Sequence, residues 1–520
     1  MHALDWILIA AYAAAMMALS AWLGRRQESE EDYYVAGRSL PWWATGLSTM
    51  ATQTSAISFI SVPAFVALAP NGGLVWLQYE LAVPLAMVGV SLFLLPFLRG
   101  LELITVYEYL ERRFGSSVRV LCAGVFLLSR GLATGVALYA SALVLMVLLD
   151  APLWLMIVAM GLFTLLYDLL GGIRAVVWSD VIQMAILGLG LVFAIAVAIG
   201  EVGGVGAVVA ATDPDRLVAL RPGLGYGDEP MPFWGFFIGG LFLYMAYYGT
   251  DQSQVQRELA SRGPDHTRRS LALNGFARLP LTLAYALMGL AIGAVVATTP
   301  ALAAAIPAGR PDAMVPTYIL THLPIGIRGL LVAALLSAAM SSLDSAFNAL
   351  SATTMRDFIE RNRPLERGHA LRLSRLTTLA WGLFAIAFAF AVESLQGTVL
   401  ETINRIGSAF YGPVLAAFLV GVLSPHASGR GVFIGVLAGV GTNVFLWLAV
   451  PELFWMWWNA IGLVVAGGVA LLLFRRQEPA PPELLLRGRQ RWAPVYTLLV
   501  LYCGAMLGLL WALPRIAAAI

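Results

Sequence analysis

The chain has 520 residues, 60% of them hydrophobic and only 12% charged, against about 25% charged in an ordinary soluble domain. Its 32 basic and 30 acidic residues are too few to coat a soluble protein of this length. That excludes a soluble globular enzyme, a disordered chain and a nucleic-acid binder, and leaves an all-α polytopic membrane protein. Every basic residue is arginine. Cys122 and Cys503 lie in apolar stretches and the five histidines are scattered, so neither a disulfide framework nor a metal-ligand spacing is read.

A membrane-crossing helix needs about 20 mostly apolar residues. Segments of that kind fall near 3–24, 40–67, 75–98, 118–149, 152–171, 175–199 and 231–256. More follow near 270–299, 328–353, 370–391, 398–424, 430–450, 452–474 and 494–514. They predict about fourteen transmembrane helices. A barrel is excluded, because the runs are continuous rather than alternating. With the N-terminus outside and each segment crossing once, 24 arginines fall in inner loops and 5 in outer loops. Arg130, Arg278 and Arg405 lie within spans. The positive-inside rule then predicts both termini outside a plasma (inner) membrane. In the first segment Arg25 and Arg26 follow the apolar run, so it reads as a retained anchor rather than a signal peptide.

Polar groups inside spans are costly and mark functional hypotheses. Four clusters stand out. The first runs from Ser48 to Ser61 and ends at Pro63, where hydroxyls and proline predict a broken helix with free carbonyls. The second is 337–348, in which Ser337, Ser341 and Ser345 share one helix face beside Asp344. Oxygens with one carboxylate suit a monovalent cation, or else they hydrogen-bond between helices. The third is 171–183, with Asp180 one turn into a helix, where the bland alternative is pairing with Arg174. The fourth is 244–257, where Gly249 and Thr250 interrupt an apolar run and Asp251, Gln252 and Arg257 read as the inner interface.

Five segments resemble the sodium:solute symporter family, which includes sodium/glucose and sodium/proline cotransporters. They are AGRSLPWWATGLS (36–48), GGIRAVVWSDVIQ (171–183), TDQSQVQR (250–257), SAAMSSLDSAFNALS (337–351) and INRIGSAFYGPVLAAFLVG (403–421). They spread over most of the chain in the family's order. The resemblance implies a leucine-transporter-like fold, with two inverted five-helix repeats at 38–199 and 231–424. The accessory parts would be one helix within 1–26 and three within 430–520. The interrupted segments then fall at corresponding places in the two halves, as a midplane binding site requires.

The same resemblance implies a sodium site at Ala51, Thr54, Ala338, Ser341 and Ser342. Some members have a second sodium site, which resembles Asp180 with Ser341, Ser345 and position 344. This chain carries Asp344 where several members have a hydroxyl, so a second carboxylate joins that set or points to H+ coupling. By resemblance to sugar-transporting members, the solute lining includes Gln53, Ser58, Glu80, Val83, Tyr244, Tyr247, Arg278 and Asn404. Ser58, Val83 and Tyr244 replace groups used for sugar hydroxyls, and Arg278 replaces lysine. A guanidinium suits a carboxylate, which leans toward a small organic anion; pairing with Glu80 or snorkelling is the alternative.

The expected function is Na+-driven symport of a small organic solute, a monocarboxylate or other organic anion, by alternating access. Na+ is the coupling ion, no organic cofactor is expected, and the partners are the solute, Na+ and the bilayer. A sugar or amino-acid symporter, an H+-coupled transporter and a channel are the rival readings. An enzyme is not expected, because no His or Cys in the spans supplies a nucleophile or metal.

Overall fold

The computed structural model describes residues 1–520 except 26, 55, 228, 308, 362–364, 393–398, 475, 477, 487–492 and 520, with the side chains of 56, 57, 367, 399–404 and 519 also outside the description. Among the described residues there is no β-strand. The helices are α1 (Ala3–Gly24), α2 (Glu30–Val35), α3 (Trp42–Gln53), α4 (Ala56–Ala67), α5 (Val83–Phe93) and α6 (Ser116–Leu149). Then come α7 (Leu153–Val202), α8 (Gly240–Thr250), α9 (Gln252–Leu259), α10 (Pro264–Thr298) and α11 (Ile327–Thr353). The last are α12 (Arg367–Val392), α13 (Val399–Leu423), α14 (Gly429–Ala449), α15 (Trp457–Leu472) and α16 (Pro494–Ala519); shorter turns connect them.

Ten helices among the described residues are long and apolar enough to cross a membrane, or eleven if α3 and α4, bent by 56°, form one span. The expected count of about fourteen differs at three further places. Residues 153–202 run as one 50-residue helix, although Gly172 breaks its backbone at φ 52°, ψ −164°. The predicted segment 231–256 divides into α8, 11 residues long, and α9, 8 residues long. α15 has only 16 residues.

The breaks have local causes. A Cβ at Gly172 would sit 2.8 Å from the Tyr33 carbonyl oxygen, and its φ is unfavourable for any residue with a side chain. Glycine therefore lets α7 fold at that point against α2. Between α8 and α9, Asp251 is extended (φ −80°, ψ 116°), and its carboxylate accepts from the Ser253 backbone N–H at 3.0 Å. It stops one helix and caps the next. At the end of α3, Thr54 leaves helical geometry (φ −95°, ψ 81°) while its hydroxyl donates to the Met50 carbonyl at 2.9 Å. A side chain that satisfies a carbonyl locally competes with helix continuation.

α7 and α11 pack against each other along their length, with α1 and α3 beside them. α10 packs on α3, α4 and α5, while α13, α14 and α15 pack on one another and reach the rest of the bundle at α6 and α8. Many large apolar side chains point outward, among them Leu189, Val192, Phe445, Leu448 and Trp511. An apolar exterior over polar interior clusters is the inverse of a soluble protein, and lipid is the solvent that suits it.

Candidate functional site

The breaks bring two buried polar regions together near the bundle centre. The first surrounds Asp180 on α7. Ser341 of α11 donates to Asp180 Oδ1 at 2.5 Å, and Ser48 of α3 donates to Asp180 Oδ2 at 2.5 Å. Ser342 donates to the Thr52 carbonyl at 3.0 Å, which ties the last turn of α3 to α11. The single hydroxyl hydrogen of Ser345 lies between two acceptors, the Ser341 carbonyl at 2.5 Å and Asp344 Oδ1 at 3.0 Å, and its oxygen meets the Thr52 hydroxyl at 3.3 Å. Ala51, Thr54 and Ala338 are buried beside this seam. The Ala51 carbonyl accepts from the Thr54 N–H at 2.9 Å. The two ends of the expected sodium set, on α3 and on α11, thus meet through the Ser342–Thr52 bond.

The same region contains Arg257, which is fully buried. Its Nε donates to Ser48 Oγ at 2.6 Å, Nη1 to the Ser253 carbonyl, and Nη2 to Ser345 Oγ. Nη2 also lies 3.5 Å from Asp180 Oδ2. Reading Arg257, Asp251 and Gln252 as an inner interface is therefore corrected: all three are buried, because α9 turns into the bundle after the Asp251 break. The suggested Asp180–Arg174 pair is corrected too. Arg174 instead donates to the Ala36 carbonyl and to Ser39.

Asp344 does not share Asp180's contacts. Its Oδ1 takes the Ser345 hydroxyl, and its Oδ2 has no hydrogen-bond partner among the described residues. Asp168 Oδ2 and Glu258 Oε2 are buried and unpartnered in the same sense. Of these four carboxyl groups, only Asp180 forms an ion pair with Arg257 among the described residues.

The second region surrounds Glu80 and Arg278. The guanidinium binds the carboxylate through two bonds of 3.1 Å, Nε to Oε2 and Nη2 to Oε1. Nη1 donates to Thr54 Oγ1 at 3.1 Å, and Tyr244 donates to Glu80 Oε2 at 3.0 Å. Of the two sequence readings of Arg278, pairing with Glu80 is the one observed, so its charge is already compensated. Bidentate geometry also fixes the orientation of both groups. Tyr244 stacks on Tyr79 with centroids 4.9 Å apart. Tyr248 donates to Gln53 Oε1, and Tyr247 accepts from Gln254 at 2.8 Å. Ser58 is half-buried, Val83 sits in the apolar core, and the Asn404 side chain lies outside the described residues.

Arg130 of α6 completes this face. It pairs with Asp251 at the α8–α9 break and donates to Tyr411 Oη at 3.3 Å. Its guanidinium carbon lies 5.3 Å from the Tyr247 ring centroid. Sequence reasoning located Arg130 within a span but assigned it nothing. The usable signal was a charge within a span, since such groups require a buried partner.

Helices interrupted in mid-bundle, lined by oxygens and flanked by buried ion pairs, define a polytopic secondary transporter. Comparison with known proteins narrows this. The sodium:solute symporter family model matches residues 33–439, and the chain belongs to that family. It is 29% identical to the sodium/sialic acid symporter NanT of Aliivibrio fischeri over 91% of this chain and 94% of that one. It is 31% identical to the sodium-coupled monocarboxylate transporter 1 of Xenopus laevis over 83% of this chain and 68% of that one. Its fold resembles a solved Na+-coupled sialic acid symporter in a substrate-bound outward-open state, with TM-score 0.81, 26% identity and coverage of 91% and 97%. The protein is thus a multi-pass, sodium-coupled transporter rather than an enzyme, and Na+ is its coupling ion.

Proposed function

We propose that the chain carries a small organic acid inward with Na+ by alternating access, across a plasma (inner) membrane with both termini outside. The Ser342–Thr52 contact is the observation that carries this reading. It joins a broken helix end to a serine pair on a second helix, as a sodium site of carbonyl and hydroxyl oxygens requires. In this reading Ala51, Thr54, Ala338, Ser341 and Ser342 hold Na+, and Asp180 and Ser345 with Ser341 form a second, inner position that Asp344 borders. The repeats 38–199 and 231–424 move relative to each other, and 1–26 and 430–520 are accessory. The breaks at Thr54 and Asp251 stand at matching points of the two halves, which supports that division.

The solute lies against Gln53, Ser58, Tyr244, Tyr247 and Asn404, next to the Glu80–Arg278 pair. The organic-acid assignment draws on Arg130 rather than Arg278. Arg130 is paired with Asp251, but its Nε is buried without a partner among the described residues, so this guanidinium has donor capacity left. Na+ favours one conformation only if it binds the two states with different affinity. Purified protein in proteoliposomes tests the reading directly. A Na+ gradient should drive uptake of a labelled monocarboxylate or sialic acid, and Ser341→Ala should raise the Na+ needed for half-maximal uptake. Normal Na+ dependence in Ser341→Ala would refute the site. Preference for a neutral sugar or amino acid would refute the organic-acid assignment.

A further inference from the structure

α7 meets α11 at two acidic points, one on each side of its break. Asp180 lies eight residues after Gly172 and bonds Ser341. Asp168 lies four residues before it and accepts from Asn348 Nδ2 at 3.3 Å. Ser341, Ser345 and Asn348 step along one face of α11, since positions three and four apart lie above one another on a helix. A continuous polar stripe therefore runs from Asp180 to Asp168. At its far end Gln256 of α9 donates to Asn348 Oδ1 at 2.7 Å and to the Tyr34 carbonyl at 2.8 Å.

That far end is unfinished. Asp168 Oδ2, Gln256 Oε1 and Thr164 Oγ1, one turn before Asp168, are buried without hydrogen-bond partners among the described residues. Asp168, Asn348 and Thr164 are wholly buried and Gln256 is 1% exposed. No cationic side chain forms an ion pair with Asp168 among the described residues. A buried carboxylate without a partner is costly, and a monovalent cation among neutral oxygens offsets that cost.

We propose that Asp168, with Asn348 and Gln256, forms an inner station for the transported Na+, occupied after it leaves Asp180 and before release. This rests on the Na+-coupled transport proposed above and on the expected topology, in which five spans precede Gly172 and its break therefore lies on the inner side. Asp168 then lies closer to the inside than Asp180, on the same stripe. The carboxylate draws the ion off the serine site, and the neutral amides hold it weakly enough to let go.

The test uses full-length protein in proteoliposomes loaded with different internal Na+ concentrations. Internal Na+ should inhibit net uptake by refilling the station. Asp168→Asn should raise the internal Na+ needed for half-inhibition about tenfold, the size of losing one charged ligand. External Na+ for half-maximal uptake should stay within about twofold, because the outer site is intact. Asp168→Glu should restore internal inhibition. Gln256→Met, which keeps the charge, should shift the same measurement less, and it carries the test if Asp168→Asn does not fold. Unchanged internal inhibition in both variants overturns the proposal, as does an equal rise in external half-saturation. If uptake by the unmodified protein varies with internal pH and Asp168→Asn removes that dependence while leaving internal Na+ inhibition intact, the proposal is also overturned, because the occupant is then a proton. Absence of Na+-driven uptake in the unmodified protein overturns the transport reading itself, which separates the two failures.

Discussion

The two buried charge clusters differ in their arithmetic. Around Glu80, one carboxylate meets one guanidinium in a bidentate pair, and Thr54 and Tyr244 complete its bonds. Around Asp180, one guanidinium, Arg257, serves a region that also holds Asp344, Asp168 and Glu258. A balanced pair in low dielectric is a clamp, since removing either partner leaves a buried charge unpaired. An acidic excess must be relieved by a bound cation or by protonation. The difference separates a charge pair that holds helices together from the group of carboxyls that the proposed function assigns to the coupling ion.

The strongest test of that difference is stability. Glu80→Gln leaves Arg278 buried without its carboxylate, and should cost about 3–5 kcal/mol. The melting temperature of the purified protein measures this, and the double variant Glu80→Gln/Arg278→Gln should recover much of the loss. Asp180→Asn also breaks a buried pair, but other carboxyl groups remain in the same region as Arg257. It should cost less, about 1–2 kcal/mol, while sharply raising the Na+ needed for uptake. An equal loss of stability in Asp180→Asn and Glu80→Gln would erase the distinction.

A smaller effect is expected at Asp344. Asp344→Ser replaces the carboxylate with a hydroxyl. It should lower the steepness of the Na+ dependence of uptake if the carboxylate helps to hold a second ion. Unchanged steepness would assign Asp344 no part in ion binding.

The smallest effect lies outside the spans. Burial, with the nearby Glu360 carboxylate that protonated Glu30 donates to, pushes Glu30 from its ordinary 4.5 up to about 7, while Ser374 and Arg356 act the other way. A carboxyl raised in the folded state contributes stability below its unfolded value, and that contribution is lost as pH rises through the folded one. Melting temperature should therefore fall between about pH 4.5 and pH 7, and Glu30→Gln should flatten that slope. A slope unchanged in Glu30→Gln would assign the effect to another group.

Much of this protein was legible in its sequence. The apolar runs located the helices, because a lipid-facing helix must be apolar around most of its surface. The polar interruptions near Thr54 and Asp251 marked the breaks, because hydroxyl and carboxylate side chains compete locally for backbone groups. Ser341, Ser342, Ser345 and Asp180 stood out as polar groups within spans. Arg257, Arg130 and Asp168 were less legible. Arg257 and Asp251 follow an interruption, and a charged stretch after an apolar run reads equally as an interface or as a buried turn. Asp168 sits near the end of its predicted span, where a lone carboxyl looks like an ordinary boundary residue.

The sequence by itself determined that the chain spans a membrane, where its helices fail, and which family it belongs to. These depend on local composition and on the order of motifs along one strand of chain. Only the tertiary structure decided the partners. Arg278 reached Glu80 across 198 positions, and Arg257 reached Asp180 across 77. Which guanidinium neutralises which carboxylate depends on distances of a few ångströms between helices, because Coulomb energy and hydrogen bonds act through space. That assignment turned Arg278 from an open cation into a clamp and left Asp168 Oδ2 without a hydrogen-bond partner among the described residues.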